Sequence, residues 1–407
     1  MKFAVAAEGT RGDIHPMLAL AGRLKKHGHE VVFCAPPDFA ESAHARGLTF
    51  HPVGLDIREF LNAEARSLHG GGLAMARAAG RLMKDNLGRQ FADLRAGAEG
   101  CEFILSAGTQ IAASSIAEVL GVPHRFIAYD PILLRSAMHP PVFCRRPDLP
   151  RWLNRLLWSM QGWLLQLGLG GIVNRERARL GLPASRDLYG LLLGRHPILA
   201  AEERIAPIPP DAERVVCIGC LHPFDETPLP EKLEAFLAAG PRPVYLGFGS
   251  MTDPNPERST GLLLEAIERA EVRAVLSEGW AGLGDVALPD HVEVVGVVDH
   301  STLFQRVAAV VHHGGAGTTT MAARAGVPQI VVPHILDQFH WAARVQRLGV
   351  APPPLMRRKL TADGLAHRLR AICGNEWLAE NAAELGERLR HDLAGRRDPV
   401  EAMIRCD

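Results

Sequence analysis

Val310-Val-His-His-Gly-Gly-Ala-Gly-Thr-Thr-Thr320, continued by Gly326-Val-Pro-Gln-Ile-Val-Val-Pro333 and Asp337-Gln338, decides how the chain is read. Val307 to Val311 is a short apolar run of the kind that forms a buried strand, and Thr320 to Ala325 reads as the start of a helix. A glycine turn feeding a helix N-terminus presents free backbone N–H groups and the positive end of the helix dipole, a setting that suits a phosphate. The His313 imidazole and the Thr318 hydroxyl add donors to the same place. A second strand, Gln329 to Val332, ends at Pro333, and Asp337 with Gln338 just beyond it supplies acceptors and donors of the kind that hold sugar hydroxyls. Gly-Gly-Ala-Gly alone reads as a plain strand–helix turn; its combination with His313 and Asp337-Gln338 is far more specific.

His313-Gly-Gly-Ala-Gly-Thr318, Gly326-Val-Pro328, Pro333 and Asp337-Gln338 together resemble the donor signature of two-lobed, inverting nucleotide-sugar glycosyltransferases of the UDP-glycosyltransferase superfamily. The likeness is greatest to bacterial natural-product and sterol-type glucosyltransferases. It implies two facing Rossmann-like βα lobes with a cleft between them. It also implies diphosphate contacts from His313 and from Gly315, Ala316, Gly317 and Thr318, with sugar hydroxyls held by Asp337 and Gln338. Plant members carry a ribose-binding glutamate eight residues after the histidine; Met321 stands there, so ribose recognition must come from elsewhere. Gly247-Phe-Gly-Ser250 occupies the family's second diphosphate contact, and Val297-Val298 matches the stretch whose backbone reads the base, with Val298 the contact.

Working outward, 407 residues suit two domains better than one. A net charge of zero argues against nucleic acid as the main partner. Seven scattered cysteines make no disulfide framework, and Cys217-x-x-Cys220 has no second pair. No signal peptide and no uninterrupted apolar run of about 18 residues are seen, so the reading is cytoplasmic without a membrane span.

The N-terminal part alternates strands and helices, which implies a parallel, doubly wound sheet with its active edge at the carboxyl ends of the strands. The reading starts with a strand Phe3 to Ala7, a loop Glu8 to Asp13 and a helix from about Pro16 to His27. Asp13 and Asp130 fall at that edge. Gly12-Asp13-Ile-His-Pro16 resembles the family segment that carries the general base, aspartate in sterol- and antibiotic-type members; Thr10, Arg11 and Gly12 are the loop candidates for the acceptor. Asp13 is therefore the expected catalytic base, with His15 as rival read instead as helix-start packing.

Pro131 to Pro210 breaks the alternation with Trp152, Trp158 and Trp163 among Leu153, Leu156, Leu157, Met160 and Leu164, preceded and interleaved by Arg145, Arg146, Arg151 and Arg155. The leucines read as an ordinary packed amphipathic helix. The tryptophans leave open an apolar acceptor pocket, contact with the inner membrane surface, or packing. The expected division is residues 1–215 as acceptor lobe, 216–242 as linker, 243–375 as donor lobe, and 376–407 as a helix returning to the first lobe.

Resemblance and chemistry together imply a hexose, first of all glucose, moved from a UDP-sugar to the hydroxyl of a lipophilic acceptor such as a sterol, terpenoid or polyketide. Direct displacement would invert the anomeric centre without metal, since no Asp-x-Asp motif appears, and without a further cofactor. Gly349-Val-Ala-Pro-Pro-Pro-Leu355 tilts the reading towards sterol-type relatives. The alternatives are a dTDP-deoxysugar transferase acting on an antibiotic aglycone, or a non-catalytic sugar-nucleotide-binding homologue. A Rossmann oxidoreductase lacks its G-x-G-x-x-G and downstream acid.

Overall fold

The computed structural model describes residues 1–56, 72–221, 228–248, 256–278, 288–396 and 398–404. Two wholly parallel sheets organise it. The first contains β1 (Lys2–Glu8), β2 (Glu30–Ala35), β3 (Thr49–Pro52), β4 (Phe103–Gly108), β5 (His124–Ala128), β6 (Ile198–Leu199) and β7 (Val216–Cys217), in the order β3-β2-β1-β4-β5-β6-β7. The second contains β8 (Val244–Gly247), β9 (Ala274–Ser277), β10 (Val292–Val295), β11 (Ala309–His312) and β12 (Gln329–Val331), in the order β10-β9-β8-β11-β12. Parallel neighbours need crossover helices, which cover both faces of a sheet, so central strands are apolar without alternation. Phe3 to Ala7 shows this, with every side chain buried. Both sheets reverse their strand order at a central strand, β1/β4 and β8/β11, and the crevices at those points hold the predicted site residues.

The lobes are joined by more than a linker. A mixed apolar cluster sets Phe126, Ala128 and Leu199 of the first lobe against Ala323, Val331, Trp341 and Val345 of the second. The first sheet reaches Cys217, beyond the predicted lobe boundary at 215. Beside it, the buried Glu202 carboxylate receives Arg324 from the second lobe and, at 2.7 Å, Arg396 from the C-terminal segment. Burial alone would push Glu202 up, but the Arg396 and Arg324 guanidiniums hold it below the ordinary range. The helix Glu376–Gly395, capped by Asn375, crosses the second lobe so closely that a Cβ at Gly386 would lie 2.7 Å from Gly326 Cα. The helix Pro399–Ile404 then inserts Val400 and Met403 into the core of the first lobe.

Two expectations change. The first helix spans Arg11–Lys26, so Pro16 lies inside it and Asp13 belongs to its first turn rather than to a loop. Asp13 accounts for the earlier start: its carboxylate accepts the Thr10 N–H at 2.9 Å and satisfies a leading amide that would otherwise need water. The second change concerns the helix Arg151–Arg179. It buries Trp158, Asn154, Leu169, Val173 and Arg177, yet leaves Leu156 and Leu164 exposed, so the leucines do not form one packed stripe. Among the described residues it is the one helix long and apolar enough to cross a membrane by length and composition, which no uninterrupted apolar run announced. The burial of Arg177, bonded to Ser115 at 2.9 Å, keeps it part of the lobe.

Candidate active site

The acceptor-side edge is built where β1 gives way to its helix. Gly9 has φ +139°, and a Cβ there would lie 2.2 Å from Asp13 Oδ2, so only glycine allows the chain to turn this tightly past the carboxylate. Tyr129, just after β5, donates its hydroxyl to the Asp13 carbonyl at 2.7 Å and fixes that turn from two strands away in the sheet. Asp13 itself is half-buried. Burial lifts its carboxyl to about 6 against the opposing Thr10 hydrogen bonds, which makes it a stronger base than a solvated aspartate. Thr10, Arg11 and Gly12 are exposed on the same turn. His15 is half-buried with its ring edge-on to Phe39 at 6.5 Å.

Two acids join Asp13 that the sequence reading did not use in this way. Glu8 closes β1 fully buried, takes a 2.5 Å hydrogen bond from Asn86 Nδ2, and has no partner on Oε2. Burial raises it to about 8, with the charge of Asp13 adding to the lift, so it is largely a neutral acid at pH 7. Asp130, read from sequence only as an edge residue, is also buried. It caps the turn Pro131–Leu133 through the Ile132 N–H at 2.9 Å, leaves Oδ2 without a partner, and stands 3.7 Å from His340 Nε2 of the second lobe. Burial first, then the Asp337 charge, pushes it well above the carboxylate range.

On the donor side, β11 delivers His312 into the core and His313 to the strand end. His312 was silent in sequence, being one of two adjacent histidines. Its Nδ1 accepts the Gly314 N–H at 3.0 Å, which leaves Nε2–H to donate to Gln329 Oε1 at 2.8 Å. Burial keeps this ring neutral, its pKa lowered to about 3, and the pair of bonds pins the glycine turn to β12. Gly314 has φ +93° and packs where a Cβ would come within 2.8 Å of Val331. Gly315 caps the helix Ala316–Ala325 without a side-chain bond, and a Cβ there would lie 2.6 Å from His313 Nε2.

The first helical donor is Thr319 N, bonded to the Gly315 carbonyl at 3.0 Å, so the amides of Ala316, Gly317 and Thr318 precede the ladder. Gly317 is open, with nothing within 4 Å of a Cβ placed on it, and the Thr318 side chain is half-buried. His313 is half-buried with Nδ1 unpartnered, and burial lowers its pKa to about 4. The ring is neutral at pH 7 and can donate one hydrogen bond to an anion, but brings no charge; charge stabilisation falls to the helix terminus.

Beyond β12, Asp337 caps the helix Gln338–Arg347 and is half-buried, lifted to about 6 by burial and then by the charge of Asp13. The charge of Asp337 thus bears on Asp130, and that of Asp13 on Asp337, across the lobes. Gln338 is buried, and its Oε1 accepts from His334 N at 2.7 Å and Ile335 N at 3.0 Å, which folds the loop after β12 around this side chain. Val298 follows β10 half-buried, beside Val297, which is 88% exposed and offers an apolar surface to a base. Ser250 lies outside the described residues. Gly349 to Leu355 is a strap along β12, with Leu355 N bonded to Val331 O at 2.9 Å and Val350, Ala351 and Leu355 buried, so its sequence reports packing rather than acceptor choice.

Two parallel βα lobes with a phosphate-ready helix terminus on one and a perturbed carboxylate on the other define a glycosyltransferase of the two-lobed GT-B class. Known families agree: the Glycosyltransferase family 28 N-terminal domain matches residues 3–123, and the Erythromycin biosynthesis protein CIII-like C-terminal domain matches residues 263–407. The chain is 38% identical over 419 residues to a vancomycin aglycone glucosyltransferase of Amycolatopsis orientalis, covering 98% of this chain and 99% of that one. A dTDP-epi-vancosaminyltransferase of the same organism is 36% identical over 360 residues, covering 86% and 84%. Among solved structures, glycosyltransferase VinC in complex with dTDP aligns with TM-score 0.70 at 22% identity over 100% of both chains, a likeness of fold. The chain belongs to the UDP-glycosyltransferase superfamily, among the enzymes related to natural-product glycosyltransferases.

Proposed function

We propose that the enzyme moves a hexose, glucose in the first reading, from UDP to a hydroxyl of a natural-product aglycone, with Asp13 as general base. The observation that carries this is the half-buried Asp13 carboxylate, its pKa raised to about 6, within charge reach of Asp337 on the donor lobe. An acceptor hydroxyl placed against Asp13 gives up its proton as its oxygen bonds to the anomeric carbon, while the bond from that carbon to the diphosphate breaks on the opposite face. The anomeric centre inverts. The departing diphosphate takes hydrogen bonds from the amides of Ala316, Gly317 and Thr318 and from His313, in the field of the helix terminus. Asp337 accepts hydrogen bonds from the sugar hydroxyls, and no metal takes part.

Glucose as the sugar rests on the full-length relative named a vancomycin aglycone glucosyltransferase. A second reading, a dTDP-sugar donor, is favoured by the relative named a dTDP-epi-vancosaminyltransferase and fits the site no worse. An aglycone phenol or alcohol is the acceptor in either case. Calorimetric titration with UDP, dTDP and UDP-glucose, each in EDTA, tests the donor. Tighter binding of UDP than of dTDP supports the first reading, the reverse order supports the second, and binding of none overturns both.

A further inference from the structure

We infer that the outer face of the helix Arg151–Arg179 docks this enzyme on an anionic lipid bilayer, with the helix lying in the plane of the interface. Six large apolar side chains share that face: Trp152 (65% exposed), Leu156 (57%), Met160 (40%), Trp163 (63%), Leu164 (49%) and Leu167 (69%). Their steps of four, four, three, one and three residues make one continuous stripe, about 22 Å long at 1.5 Å per residue. A soluble surface scatters its exposed apolar residues; a contiguous stripe marks a surface that is covered in use.

The opposite face prevents the helix from leaving the lobe to span a membrane. Asn154 Nδ2 donates to Ala137 O at 2.9 Å, Trp158 Nε1 to His139 O at 3.1 Å, and the buried Arg177 pairs with Glu118 at 3.0 Å. An apolar face on one side and a fixed polar anchorage on the other is the geometry of an interfacial helix.

Charge chooses the occupant. The whole chain is neutral, but residues 145–155 contain four arginines (Arg145, Arg146, Arg151 and Arg155) and one acid, Asp148. Asp148 is paired with Arg347 at 2.5 Å, and Arg145 lies over the Phe339 ring at 4.7 Å. Arg146, Arg151 and Arg155 are exposed and make no ion pair among the described residues. No acid occurs on the helix before Glu176. Cations beside a tryptophan-bearing apolar stripe match anionic headgroups above acyl chains. A second copy of the chain pairing through this face would bring no acids to meet those arginines. A small acceptor would want a concavity, which the outer face of a helix does not offer.

The test is flotation of the full chain with vesicles of phosphatidylcholine alone or with phosphatidylglycerol added, alongside light scattering. Partitioning onto the anionic vesicles about a hundredfold stronger than onto neutral ones, and weakened by salt, is expected from the local excess of three positive charges. Trp152→Ser with Trp163→Ser and Leu167→Ser should abolish it, and Arg146→Glu with Arg151→Glu and Arg155→Glu should erase the lipid preference. Because all six positions are exposed, unchanged thermal melts and nucleotide affinity will show that the variants are folded. Quenching of wild-type tryptophan fluorescence by brominated lipid reads the same contact without a variant. No partitioning, equal partitioning onto both vesicles, or partitioning unmoved by the substitutions would overturn the inference. So would a wild-type dimer that the serine variant converts to monomer without any lipid binding.

Discussion

Asp13 on the first lobe raises the pKa of Asp337 on the second: burial lifts the Asp337 carboxyl to about 6, and the negative charge of Asp13 is the next cause. The two residues are 324 positions apart in the chain, and the charge of one reaches the other only because both lobes face one cleft. A carboxylate that feels a second negative charge favours a neighbour that is neutral or hydroxyl-bearing, which is what a sugar in the cleft supplies.

For Asp13, kcat/KM should rise with pH through about 6 and level off above, since the base works only when deprotonated. Asp13→Asn keeps an acceptor for the Thr10 N–H, so it removes the base without removing the helix cap. It should cut kcat by about 10²–10⁴ and leave the nucleotide affinity unchanged. A wild-type acid limb near pH 4, or an active Asp13→Asn enzyme, would contradict the assignment.

Glu8 should make the protein less stable as pH rises. The unfolded chain releases this proton near 4.5 and the folded one near 8, so the folded state is favoured most below 4.5 and loses stability up to about 8. At pH 7 the loss is roughly 3 kcal/mol, at about 1.4 kcal/mol per pH unit. Glu8→Gln preserves the acceptor for Asn86 and should stabilise by about 2–3 kcal/mol at pH 7 and by little at pH 5. Urea melts at the two pH values measure this; equal effects at both would show that Glu8 ionises normally.

Gly315→Ala should leave the melting temperature nearly unchanged, because the added Cβ meets the far end of a side chain, His313 Nε2, which can swing away. It should nevertheless weaken UDP or dTDP binding about tenfold, as should His313→Ala, through loss of one hydrogen bond to a charged group. If displacement of the ring is the cause, the double variant will bind no worse than either single one. Additive losses in calorimetry would show that the alanine acts on the helix terminus instead.

Where the lobes join, Glu202→Gln leaves Arg324 and Arg396 facing a neutral amide in a buried site, and should destabilise by about 3–5 kcal/mol. Because the folded Glu202 is held below its ordinary pKa, its contribution is present above about 4.5 and lost as pH falls from there. Denaturation at pH 7 and pH 4 should therefore show the variant's deficit shrinking with acid. A constant deficit would point to packing rather than charge.

Much of the architecture was legible because its signals are local. Buried parallel strands read as apolar runs, glycines mark the turns that need φ above zero, and β1 and β12 fall within a residue of the spans expected from sequence. The donor turn was legible for the same reason: glycines at Gly314 and Gly315 exist to admit backbone and the His313 ring at close range. The loop bonds of Gln338 were not legible, because a side-chain amide serves a loop or a ligand equally well, and its hydrogen bonds to His334 and Ile335 are set by how the chain folds back after Pro333.

By itself, the sequence determined two βα lobes, the phosphate-ready turn after β11 and the acidic turn after β1, since each depends on residues only a few positions apart. Ionisation and exposure were decided by tertiary structure. Whether Glu8 is neutral, whether Asp13 is a competent base, and which face of Arg151–Arg179 meets solvent all depend on desolvation by segments distant in the chain. Desolvation sums over everything packed nearby, and no local pattern of residues encodes that sum.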